Sequence, residues 1–188
     1  MNYKNIFKRI ISIITVPTAS WEELSVETGN TEKEDFRFFY ILLIANIVSS
    51  FVGGLLYGDS PFVSAIIKAI VSGIAFFGGF WGIYYIFTDI LCKRFKLTVS
   101  KAKTLRLIIY SMTLSFSLSI LIALLPGLFF LKVINIYTLY IVWEGVSKLI
   151  PLEENERSNF VLLLSAIIVL IPFIISQLLL FSIPIAKL

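Results

Sequence analysis

Lys68, Asp89 and Glu144 are ionisable residues set inside, or at the edge of, long apolar stretches. A charge is costly in hydrocarbon, so residues placed like this mark ion paths, proton relays or ligand contacts by default. Asp89 and Glu144 each precede a lysine, Lys93 and Lys148, by four residues. That order favours a pair on one helix face. Two readings of the acids follow. They form a site open to the cytoplasm that takes a cation or proton, or they form two ion pairs at the end of a span. Lys68 either faces protein or a cavity, or runs its ammonium along its stem to the headgroups. It falls in the leaflet opposite Glu144, which argues against a direct pair. Other chemistry lacks its parts. The 188 residues include no histidine, which removes Ser–His and Cys–His catalysis and imidazole-built zinc or haem sites. Cys92 is the single cysteine, so no internal disulfide forms. There is no phosphate loop, metal cluster or nucleophile–base pair, and Gly53–Gly54 and Gly78–Gly79 lie in apolar helix. The expectation is a protein without catalysis, cofactor or metal.

Five apolar runs must position these residues, at about residues 38–57, 62–92, 105–131, 133–150 and 160–183. About 20 apolar residues span the hydrocarbon core as a helix. Hydrophobic residues make up 58% of the chain, more than one water-soluble core of this size buries. The expected fold is all-α, a polytopic bundle of five transmembrane helices (residues 37–188) behind an N-terminal extension (1–36). Pro126–Gly127 and Lys132 mark the turn between the third and fourth runs. With the N-terminus in the cytoplasm, thirteen of the sixteen basic residues fall inside and two outside. The positive-inside rule then gives N-in, C-out, with a bacterial cytoplasmic membrane as the expected location. The formal charge of +4 reports that asymmetry, and no nucleic-acid partner is expected.

In the extension, Tyr3, Ile6, Phe7, Ile10, Ile11 and Ile14 share one side of a helix opposite Lys4, Asn5, Lys8, Arg9, Ser12 and Thr15. An amphipathic helix with a basic face suits an anionic leaflet surface, which assigns Lys4, Lys8 and Arg9 to lipid. A signal peptide cleaved after Thr18–Ala19–Ser20 is the lesser reading. Pro17 ends the helix, and Ser20 with Glu23 reads as a capping box that opens a second one. Trp21 is expected at headgroup level. Residues 27–36 read as a solvated acidic linker.

Within the runs, Ser64, Lys68, Ser72, Ala75, Gly79 and Gly82 form one small, polar helix face. Ser111, Ser115 and Ser119 form a stripe on the third run that is expected to pack on Gly79 and Gly82. The glycine face could equally serve a second copy of the chain. Pro172 is expected to kink the last helix.

The segments Pro17-x-x-x-Trp21-Glu22, Lys103-x-x-Arg106-x-x-x-Tyr110-Ser111 and Tyr140-x-x-x-Glu144-Gly145, the last followed by Pro151, resemble prokaryotic members of the Yip1-domain family. The resemblance covers nearly the whole chain. It implies a non-catalytic scaffold or adaptor for membrane organisation or protein trafficking, with protein partners on the cytoplasmic face. The alternative is a small transporter or channel subunit that uses Lys68, Asp89 or Glu144.

Overall fold

The computed structural model describes residues 3–27 and 31–183, and every regular element among them is helical. Two short helices, α1 (Tyr3–Thr15) and α2 (Pro17–Val26), precede α3 (Thr31–Tyr57). Four more follow, α4 (Pro61–Arg94), α5 (Lys101–Leu124), α6 (Pro126–Leu149) and α7 (Glu154–Ser182). Among the described residues, helices α3 to α7 are the five long enough and apolar enough to cross a membrane. The bundle end that carries α1 and α2 is the near end, and the opposite one the far end.

Proline opens three of these helices. Pro17, Pro61 and Pro126 each take the first turn, where a missing N–H costs nothing. Helix α2 therefore begins at Pro17, with Val16 as its N-cap, and the expected Ser20–Glu23 capping box does not form. Ser20 lies inside the helix, where its hydroxyl donates to the Val16 carbonyl and meets Ser12 Oγ at 2.7 Å. The break between α5 and α6 falls at Leu125, just before the expected Pro126–Gly127 turn, because Pro126 starts a new helix at once. The first half of α6, Pro126–Tyr137, winds as a 3₁₀ helix. Helix α4 widens to a π turn over Ile86–Leu91. It closes with Lys96 in the left-handed region at φ 51°, with Lys96 N–H donating to Lys93 O and Leu97 N–H to Cys92 O. That is a Schellman ending, for which glycine is the usual residue.

Lipid and protein faces separate along α4. Phe62, Ile66, Ile70, Ile74, Phe77, Trp81 and Tyr85 form an exposed stripe at helical spacing. The opposite face buries Phe76, Phe80, Ile83 and Phe87. Phe39 meets Phe80 at 4.6 Å and Phe76 stacks on Phe116 at 4.3 Å, so aromatic contacts join α3, α4 and α5. Glycines set the closest approaches. Gly53 faces the Ala123 backbone of α5 and Gly54 faces Ala65 of α4. Gly79 receives Pro172 of α7, and a methyl built on Gly79 would stand 2.9 Å from the proline ring. Gly82 lies against Ile171. The glycine face thus packs on α7, not on the serine stripe of α5, because the buried Pro172 ring needs a neighbour without a side chain.

Candidate functional site

The near end is organised by two arginines, of which the sequence pattern assigns Arg9 to lipid. Arg106 stands on the second turn of α5. Its Nε donates to Asp35 Oδ2 of α3 at 3.3 Å, with side-chain exposures of 7% and 1%. Its Nη1 donates to the carbonyls of Leu24 and Glu27 at the end of α2. Carbonyls at a helix C-terminus have no partner within the helix, and a cation there also meets the negative end of the helix dipole. One guanidinium therefore ties three helices together. Asp35 belongs to the stretch read as a solvated linker, but residues 31–36 form the first turns of α3, and the pull of Arg106 draws Asp35 inside.

Arg9 is turned inward as well, not toward lipid. Its guanidinium donates to both carboxylate oxygens of Glu27 and, at 2.9 Å, to Tyr110 Oη. Burial alone would lower its pKa, but Tyr110 and Glu27 outweigh that and hold the charge more firmly than in water. Trp21 is fully buried, contrary to a headgroup position. It presents its edge to Tyr110 at 6.2 Å and packs on Gly145. A methyl on Gly145 would lie 2.8 Å from the indole and 2.6 Å from Leu107 Cδ1, so the glycine is the notch that admits the ring. Tyr110 leans on Phe38 at 4.8 Å. Of the remaining surface candidates, Lys8 is exposed, and the side chain of Lys4 lies outside the described residues.

The three segments quoted above therefore meet in space. Trp21 from α2, Arg106 and Tyr110 from α5, and Gly145 from α6 make one assembly, with Asp35 and Arg9 added. Glu22 takes Lys148 at 2.6 Å, so Lys148 joins α6 to α2 instead of pairing with Glu144 along its own helix. Glu144 has no ion pair among the described residues and is half-buried. Asp89 holds Lys93 at 3.0 Å on the π turn of α4. Asp35 could have been noticed from the aromatic run that follows it, Phe36, Phe38 and Phe39, which puts the acid at an apolar border.

Toward the far end, a cavity of about 650 Å³ lies between the spans. Lys68, Ser72, Ser115, Ser119, Lys132 and Asn135 are among its lining residues. Ser115 donates to Asn135 Oδ1 at 2.9 Å, and Asn46 donates to Ser72 Oγ at 2.6 Å. The serine stripe so faces this cavity and α6, except Ser111, which is fully buried. Neither Asn46 nor Asn135 was anticipated, since single amides inside apolar runs look like any other polar interruption.

The two regions differ in what they can do. The near-end groups neutralise one another and hold helices in place. The far-end cavity carries cationic and hydroxyl donors. No group of three histidine, cysteine, aspartate or glutamate side chains is placed to hold a metal among the described residues. No curated relative and no solved structure matches the chain. The Yip1 domain family matches across residues 11–183, a range that takes in Trp21, Asp35, Arg106, Tyr110 and Gly145. The chain is an integral membrane protein that belongs to the Yip1 domain family.

Proposed function

We propose that this protein is a non-catalytic organiser of the membrane, a scaffold whose near end faces the cytoplasm and docks protein partners. One observation carries the reading. Helices α1 and α2 are pinned to the bundle by Arg9, Trp21 and Arg106, while Phe7, Lys8 and Ile11 remain exposed on the outer side of α1. A fixed helix with an apolar and basic outer stripe suits a lipid surface or a partner helix. The charge bias supports N-in, C-out in a bacterial cytoplasmic membrane. A small transporter has less support, because Lys68 lines the far-end cavity while Asp89 is occupied by Lys93.

The test places a photo-reactive residue at Lys8 or at the exposed Val133 in living cells. Position 8 is expected to cross-link to protein and position 133 to lipid alone. A Phe7→Ser, Ile11→Ser variant that keeps the photo-reactive residue at position 8 should lose the protein adducts at an unchanged melting temperature. Identical adducts from both positions would sink the proposal.

A further inference from the structure

The far-end cavity combines features that no near-end role requires. Lys68 sits seven residues inside the start of α4, about 10 Å along the axis at 1.5 Å per residue. Lys132 sits six residues inside the start of α6, past a kink at Leu128. Two cations therefore line one cavity. Helix α7, with 29 residues, is about 43 Å long against a hydrocarbon core of about 30 Å. Both lysines are exposed, so their stems can carry the ammonium groups toward the boundary where lipid phosphates sit. Lys68 is not on the lipid-facing stripe of α4. It shares the cavity with Ser72, one turn along the same face. Among the described residues neither lysine has an acidic partner.

The cavity also has a side opening. The second half of α6, Thr138–Leu149, packs on α7. The 3₁₀ half leans on α5 and barely touches α7. That leaves a gap toward the bilayer, next to the exposed Phe129, Phe130 and Val133. The lining also includes apolar Val71, Leu118 and Leu170. A cavity that combines cationic, hydroxyl and apolar groups and is open sideways to lipid matches a molecule with an anionic head and hydrocarbon chains.

We propose that this cavity binds a phosphate-bearing anionic lipid. The lipid enters between α6 and α7, with Lys68 and Lys132 on its phosphate and its chains against the apolar lining residues. A phosphate group is the shared chemistry, and the source assigned is a lipid headgroup, not the free ion. The site is independent of the docking role proposed for the near end.

Native mass spectrometry of the full chain in mild detergent tests this, with dioctanoyl-phosphatidylglycerol, dioctanoyl-phosphatidylcholine and inorganic phosphate as separate probes. The wild type is expected to bind one phosphatidylglycerol, at least tenfold more tightly than phosphatidylcholine, and not to bind inorganic phosphate in the same range. A lysine near a lipid surface contributes about 1 kcal/mol, so Lys68→Gln with Lys132→Gln should weaken phosphatidylglycerol about thirtyfold. Ser119→Trp, which fills the cavity and keeps both charges, should weaken both lipids. Equal affinity for the two lipids in the wild type, tight binding of inorganic phosphate alone, or full affinity in the folded double variant would each overturn the assignment. The headgroup comparison uses the wild type and so does not depend on how the variants fold.

Discussion

At the residue scale, removing Arg106 strands Asp35 without a partner at a site only 1% exposed. Breaking a buried pair from one side costs about 3–5 kcal/mol, whereas replacing both members by apolar residues is often neutral. Arg106→Gln should therefore lower the melting temperature in detergent far more than Asp35→Leu with Arg106→Met. Equal losses would mean that the pair does not act as a unit. Gly145→Val should expel Trp21 from its notch at a cost of about 1–3 kcal/mol, with a red shift of tryptophan fluorescence. Individual roles were the least legible part of the sequence. Arg9 and Trp21 have the types and helical positions of membrane-surface residues, yet Tyr110, about a hundred positions away in the chain, takes both. Nothing local encodes that partnership. Lys148 shows the same limit, since the i,i+4 rule pointed to Glu144 while Glu22 of another helix binds it.

At the element scale, Lys96 holds a left-handed conformation that suits glycine. Lys96→Gly should stabilise the end of α4 by about 1 kcal/mol, read as a higher melting temperature. Gly79→Val should do the reverse, since its added side chain meets Pro172 and forces α4 away from α7. Span number and helix type were legible, because apolar length is a property of each segment alone. Face analysis placed Lys68, Ser72, Gly79 and Gly82 on one side of α4. It could not say that the glycines meet α7 while Lys68 and Ser72 meet a cavity, as that depends on which helix arrives.

At the scale of the whole molecule, the N-terminal helix pair is part of the bundle. Isolated helices as short as the 13 and 10 residues of α1 and α2 are marginal in water, so their order depends on this docking. The charge bias predicts an orientation, N-in and C-out. In a Cys92→Ser background, Asp59→Cys should react with an impermeant maleimide on intact cells, and Thr98→Cys only after permeabilisation. The opposite pattern would invert the bundle. The docking itself is open to hydrogen–deuterium exchange on the full chain in lipid nanodiscs. Amides of residues 21–26 should be protected to the same degree as the second turns of α3 and α5. Arg106→Gln should remove that protection and leave Phe160–Ile168 of α7 unchanged. Exchange of residues 21–26 at the rate of a free peptide in the wild type would contradict the account.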